Sequence, residues 1–338
     1  MKIIKLTLFI LSWIILSNLL LAQTSKVGTT GAQFLKIGVG AGAVGRGEAF
    51  VATANDISAI FWNPAGLTQL KQREAMFMHS NWLASLSFDF AGITLPLGET
   101  VGTLSFFTTI LSTPEDVVRT VYYPEGTGET FQSVDLALGV SYARNLTDQL
   151  SVGTNVKYIR QSVWKMHGNS WALDFGVMYQ AKVRNLKAGL AISNFGVPIK
   201  FAGESASLFV DSDPNFTGNT PVKAMLQTES WELPLAFRFG LAFDALQMRH
   251  GHLTLSADMI NPNDNNEYAN FGCEYAIKNL VFIRAGYRGL GMEESEGGLT
   301  VGGGLTFPIV SSQLSINYAF VNYGRLEATH RYDLAITF

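Results

Sequence analysis

Three small constellations in this 338-residue chain have residue types at spacings that could do chemistry. Gly40, Gly42 and Gly45 complete a G-x-G-x-x-G pattern, which cradles a dinucleotide pyrophosphate when a strand precedes it, a helix follows it and a βαβ unit surrounds it. His79, Ser80 and Asn81 bring together a base, a nucleophile and an orienting amide, the parts of a hydrolase. His250 and His252 form a pair at metal-ligand spacing. Each group lacks what its chemistry requires. No alternation of strands and helices follows the glycines. Adjacent residues of a strand point to opposite faces, so His79 and Ser80 would not meet side chain to side chain. The two histidines lie beside a turn, without the third and fourth ligands a metal site usually needs. The single Cys273 excludes an internal disulfide framework and carries no redox signature. The expectation is therefore not an enzyme, with no catalytic residues, cofactor or metal. A net charge of -3 gives no reason to invoke nucleic acid.

The elements that would have to position such groups read almost entirely as strands. From Glu74 onward, segments of strand character have cores at 75–82, 86–95, 100–110, 131–144, 149–163, 170–181, 185–194, 231–244, 252–260, 267–277, 280–288, 298–307, 313–322 and 329–338. Each is long enough to cross a bilayer at a barrel's tilt, which takes about 9 residues. Leu233, Leu235, Phe237, Phe239, Leu241 and Phe243 share one face, against Glu232, Arg238, Gly240 and Asp244 on the other. Trp171, Leu173, Phe175, Val177 and Tyr179 repeat that period of two, as do Tyr332, Leu334, Ile336 and Phe338. Strand-interior charges fall opposite the bulky apolar residues: Asp135, Asp174, Asp244, Asp258, Glu274 and Asp333, with Lys157, Lys187, Arg238, Arg284, Arg288 and Arg331. A basic residue at the lipid midplane costs ~2–4 kcal/mol, so a barrel would keep these inside. The signs balance, which argues for ion pairs rather than a charge-selective pore.

Lys2 and Lys5, an apolar run over 6–21 and Ala22-Gln23 have the three parts of a secretory signal. The rest is apolar, rich in glycine and aromatics and only 15% charged, without a run long enough for a spanning helix. Short links (96–99, 145–149, 182–185, 277–279, 308–312) alternate with links that include the long 111–130, 195–230 and 289–297, although the first hairpin, near 83–85, is short on the long-link side. In an outer-membrane barrel with an even strand number, both termini and the short turns are periplasmic. The chain ends on Phe338, like the terminal aromatic by which such barrels are recognised for insertion. The expected organisation is a signal peptide over 1–22, an N-terminal segment over 23–73 and an all-β, antiparallel transmembrane barrel of about fourteen strands over 74–338, in the outer membrane of a Gram-negative bacterium and in contact with its lipid.

The stretch 31–67 is the long exception to strand character. Phe34, Leu35, Ile37 and Val39 lead into a glycine run; Asn55 and Asp56 read as N-cap residues of a short helix through Ile57, Ile60 and Phe61; Asn63-Pro64 stops it. The run QFLKIGVGAGAVGRGEAFVA followed by NDISAIFWNPAGL closely resembles the N-terminal signature of the PorV/PorQ family of outer-membrane proteins. That family is related to the FadL-type barrels, which also carry an Asn-Pro-Ala motif, here Asn63, Pro64 and Ala65, with Gly66 after it. The resemblance implies that this stretch folds into the lumen as a plug. Two functions follow. In the PorV-like one, outer loops of a type IX secretion component hold the C-terminal domains of secreted cargo and meet other secretion subunits. In the FadL-like alternative, the barrel passes hydrophobic small molecules. The motif is then either a structural stop or part of a plug whose shift opens a path. A strand kink that opens the wall sideways would be traced by Pro234 or by Gly302, Gly303 and Gly304. In the long loop, apolar Phe201, Leu208, Phe209 and Phe216 are the candidate contacts with a partner or ligand.

Overall fold

The computed structural model describes residues 26–98, 100–183, 185–211, 220–292 and 295–338. The expected signal segment, 1–22, and Phe216 lie outside the described residues. Among the described residues the long strands are β1 (Glu74–Asn81), β2 (Ser87–Pro96), β3 (Thr103–Ser112), β4 (Ser133–Asn145), β5 (Leu150–Val163), β6 (Met166–Gln180), β7 (Lys187–Gly196), β8 (Ala236–Met248), β9 (Gly251–Pro262), β10 (Tyr268–Ile277), β11 (Val281–Leu290), β12 (Leu299–Ile309), β13 (Ser312–Asn322) and β14 (Ala328–Thr337). Each pairs antiparallel with its neighbours in sequence, and β1 pairs with β14, closing a fourteen-stranded barrel.

The wall follows the period-two pattern. On β8, Phe237, Phe239, Leu241 and Phe243 are exposed outward while Ala236, Arg238 and Ala242 are buried inside. The expected start of that strand needs correction. Trp231 to Leu235 is not part of β8, and Leu233 is buried rather than on the outer face. Pro234 has no N–H for a ladder, and the chain bends there with the Leu235 N–H bonded to the Leu233 carbonyl at 2.8 Å.

A barrel of this width cannot be filled by its own inward side chains. Residues 30–73 run through the lumen and supply most of the largest fully buried residues away from the wall, Val39, Val44, Phe50, Ile57, Ile60 and Leu67. The segment has two α-helical turns, Ala41–Val44 and the expected one, Ala59–Trp62, which ends with Asn63 extended before Pro64. Asp56 does not cap it directly; its Oδ1 accepts from the Ser58 N–H at 2.8 Å and from Ser58 Oγ at 2.5 Å one residue earlier. At the long-loop end Thr30 pairs with Glu232, and Lys36 bonds Asp264 in the β9–β10 link at 2.9 Å. At the short-turn end the Phe338 N–H donates to the Arg73 carbonyl at 2.9 Å. The expectation that both termini share one side concerns an N-terminus that lies outside the described residues. Glu74 and Thr337 do face each other, but the segment before β1 threads the lumen lengthwise, so the described chain begins at the opposite end.

Candidate functional site

The lumenal segment rests on a belt of wall glycines. A Cβ at Gly153 or Gly176 would collide with Asn63 to Ala65, at Gly189 with Val51 and Ala52, at Gly240 with the Asp258 carboxylate, at Gly272 or Gly286 with Arg46 and Gly47, and at Gly302 with Gly45. Only a missing side chain lets backbone approach backbone so closely. Inward polar groups then bond the segment: Asp258 accepts the Phe50 and Val51 N–H groups at 2.7 and 2.9 Å, and Asp333 that of Ala41 at 2.6 Å. Asn63 is fully buried; its Nδ2 donates to the Val51 and Val177 carbonyls at 2.9 and 3.0 Å, and its Oδ1 accepts from the Ala65 N–H at 3.2 Å. Asn63, Pro64, Ala65 and Gly66 therefore sit where the segment meets β5 and β6.

On one side of the segment lies a narrow, largely apolar hollow with about 20 Å³ of free space. Phe34 and Leu35 come from the turn Gln33–Lys36, Ile60 and Phe61 from the helix Ala59–Trp62, and Phe90, Phe107 and Ala137 from β2, β3 and β4. Its far wall is polar: Lys157, Asp174, Ser193, Asn194 and Arg238. Lys157 Nζ lies 2.7 Å from Asp174 Oδ1, both buried, and Asn155 Nδ2 bridges Asp174 to the Ile60 carbonyl at 2.8 and 2.7 Å. Arg238 donates to Ser193 Oγ at 2.8 Å and lies over the Phe61 ring at 5.3 Å. A second hollow, lined by Ile37, Trp82, Leu111 and Tyr323, shares Phe34 with the first and continues toward the long loops.

The wall beside the first hollow is broken. Leu173 faces Phe195 and Phe175 faces Ile192, so Ser193 and Asn194 of β7 oppose the single residue Asp174. This is a bulge. Asn194 adopts φ 64, a left-handed conformation that asparagine tolerates, and its N–H donates to Asp174 Oδ1 at 2.7 Å. The β7–β8 ladder stops at Ser193 opposite Ala236 and pairing resumes only at Ile199 opposite Trp231. Across the interval Asn194 Nδ2 reaches the Pro234 carbonyl at 2.9 Å. The break therefore has Asn194 on one side, a position without glycine or proline to mark it, and Pro234 on the other. Pro234 lies within the break, outside any strand, whereas the β12 ladder through Gly302, Gly303 and Gly304 is continuous.

The other sequence candidates are dispersed. Ser80 faces the lumen and donates to the His330 carbonyl at 3.0 Å, while His79 faces outward and pairs with Asp89 at 2.7 Å. Phe201 lies in the short strand Ile199–Gly203, which pairs with β6; Leu208 and Phe209 lie in the loop hairpin Ser207–Val210 with Val222–Met225, where Phe209 is 74% exposed. Phe338 follows β14 directly. Sequence reasoning placed Lys157, Asp174 and Arg238 on the inner face but did not join them into a site. It missed Asn194 and the aromatic lining, whose only signal was membership of the inner face or of the N-terminal segment.

No family model matches the chain, and no curated protein matches it in sequence. Solved structures do match. The toluene transporter TodX of Pseudomonas putida aligns with TM-score 0.54 at 11% identity, over 89% of this chain and 97% of that one. A FadL homologue from Pseudomonas aeruginosa aligns with TM-score 0.53 at 11% identity over 88% and 97%. The monoaromatic hydrocarbon channel CymD gives 0.53 at 14% identity over 89% and 97%. At such identities the likeness is one of fold: this chain has the outer-membrane β-barrel fold of the FadL-type channels.

Proposed function

We propose that this protein is an outer-membrane channel for hydrophobic small molecules, with residues 30–73 as a fixed plug. The observation that carries the reading is the apolar hollow set directly against the broken β7–β8 ladder. An apolar ligand that parts the side chains of Phe34, Phe61, Phe90 and Phe107 to widen the hollow gains by leaving water, about 25 cal/mol per Å² buried, and faces a wall with no backbone ladder to break before it can pass outward. The neighbouring structures named for toluene or monoaromatic transport support the same class of ligand. The test is uptake of labelled toluene by cells carrying the protein in their outer membrane. Ala137→Val, which takes up the free space of the hollow from β4, should lower the added uptake per folded barrel, the amount of which is measured alongside. Equal uptake with and without the protein would refute the reading.

A second reading, the PorV-like one, is favoured by the exposed apolar loop hairpin, where Phe209, Val210, Val222, Met225 and Leu226 are open to solvent. It predicts copurification of secreted proteins that share a C-terminal β-domain, which a simple channel would not bring down.

A further inference from the structure

Among the buried lumen cations Arg331 stands apart. Lys157 pairs with Asp174, Arg284 and Arg46 with Glu274, and Arg238 bonds Ser193. Arg331, on β14, is 0% exposed, and among the described residues none of its Nε, Nη1 and Nη2 atoms finds an acceptor. A guanidinium keeps its charge and its five donors at any ordinary pH, so an unpaired one in the interior is a standing demand for an anion. What faces it instead is an aromatic ring: its Cζ lies 5.0 Å from the Trp82 ring centroid.

Trp82 is the boundary of the second hollow. Beside it lie about 290 Å³ of space, lined by Phe34, Ile37, Leu111, Arg288 and Tyr323, and the indole meets Tyr323 edge-on at 5.4 Å. The hairpin that carries the indole is held in an unfavourable form. Ala84 and Ser85 have φ 56 and 61, a left-handed pair without glycine. The two other cations at this hollow are already matched, Arg288 by Glu48 and Lys36 by Asp264. One positive charge is left over, and the indole that it touches also lines the hollow.

The geometry points to a site for an aromatic carboxylate. The ligand ring takes the place of the Trp82 indole against the guanidinium, whose planar face stacks on aromatic rings, and the carboxylate supplies the missing acceptor as a charge-assisted pair. A single negative charge balances the site; an unbranched alkyl acid would provide the charge but not the ring. The inference rests on the channel reading only for passage after binding, and extends its ligands from neutral hydrocarbons to aromatic acids.

Calorimetric titration of the full-length barrel in mild detergent with 2-naphthoate, decanoate and toluene tests it. Saturable binding of 2-naphthoate is expected, weaker by at least about tenfold in Arg331→Gln, the loss of one charged hydrogen bond. Toluene binding should not change in that variant. Trp82→Ala, which removes the ring to be displaced, should tighten 2-naphthoate severalfold, and it decides the matter even if Arg331→Gln fails to fold. Unchanged 2-naphthoate affinity in Arg331→Gln, weaker or equal binding in Trp82→Ala, or decanoate binding as tightly as 2-naphthoate would each overturn the site. If 2-naphthoate behaves as expected but toluene does not bind, the site stands and the hydrocarbon reading falls.

Discussion

Gly302 and Gly303 are adjacent on β12, and together they test whether the lumenal segment is fixed to the wall by missing side chains. A Cβ at Gly302 would lie 2.9 Å from the Gly45 Cα and 2.9 Å from the Tyr318 carbonyl oxygen, both backbone atoms that cannot swing aside. A Cβ at Gly303, on the opposite face, would meet nothing nearer than the Phe282 carbonyl at 3.8 Å. Either alanine reduces the freedom of the unfolded chain and gains roughly 0.4–1 kcal/mol. That gain is common to both, so the difference between the variants isolates the contact. Over-packing costs typically about 1–3 kcal/mol, and the two bonds of Thr300 Oγ1, from the Gly47 N–H at 2.8 Å and to the Gly45 carbonyl at 3.2 Å, are strained with it. Gly302→Ala should therefore unfold in urea, in lipid vesicles, with about 1–3 kcal/mol less stability than Gly303→Ala. Trypsin gives the second readout. Arg46 is only 4% exposed, one residue from the contact, so cleavage after it reports that the segment has left its seat. Faster cleavage is expected in Gly302→Ala and none beyond wild type in Gly303→Ala. Two variants of equal stability and equal cleavage would refute the argument that the wall glycines seat the segment.

Two further perturbations address the bulge and the long-loop end. Asp174→Ala strands the buried Lys157 and removes the acceptor of the Asn194 N–H, so it should destabilise the barrel by about 3–5 kcal/mol; a Lys157→Met, Asp174→Leu double variant should recover most of that, and equal losses would show that the pair does not matter as a pair. Asp264 binds Thr30, Gln33 and Lys36. Burial pushes its carboxyl up, but the hydrogen bonds from Gln33 and Lys36 and the Lys36 charge outweigh that and hold it below the ordinary carboxylate range. A lowered folded value means that the anchor is at full strength above the unfolded value, about 3.9, and is lost as pH falls through the lowered one. Amide exchange over residues 30–36 should therefore speed up only in acid below about pH 4, whereas Asp264→Asn should show fast exchange at neutral pH; acceleration centred near neutrality in the unaltered protein would contradict the assignment.

The strands were legible because each has one apolar face outward and small or polar residues inward, as in Phe237 to Phe243 against Arg238 and Gly240. Alternation does not depend on which strand is the neighbour, so it can be read without the fold. The hollow and the break depend on neighbours and could not be read. Asp174 looks like any inward carboxylate until two residues of β7 are seen opposite it. Pro234 did mark one side of the break; on the other, Asn194 bends β7 without a glycine or proline of its own, because a carboxylate bonded to its N–H supports a conformation its own side chain tolerates. The wall glycines were visible one at a time as weak points in strands. Only closure of the barrel brings Gly189, Gly272 and Gly286 to the level of the lumenal backbone.

Which part of the barrel moves when a ligand passes follows from what each movement must break. Withdrawing the lumenal segment breaks the bonds of Asp258 to Phe50 and Val51, of Asp333 to Ala41, of Thr300 to Gly47 and of Asn63 to Val177. Several of these involve charged acceptors, each worth about 1.5–3 kcal/mol, so the sum is on the order of 5–10 kcal/mol before any packing is lost. Widening the β7–β8 interval breaks the side-chain bond from Asn194 to Pro234, about 1 kcal/mol, with no backbone ladder behind it. The short-turn end of the lumen is also unsuited to an apolar molecule, since its hollow is lined by Arg46, Glu74, Glu274, Arg284 and Asn317. A hydrophobic ligand that reaches Phe61 and Phe107 thus meets a fixed segment and charged groups in one direction and a single side-chain hydrogen bond in the other. If the barrel is the channel proposed above, the lower path leads through the wall: the lumenal segment need not move for the seam beside it to open.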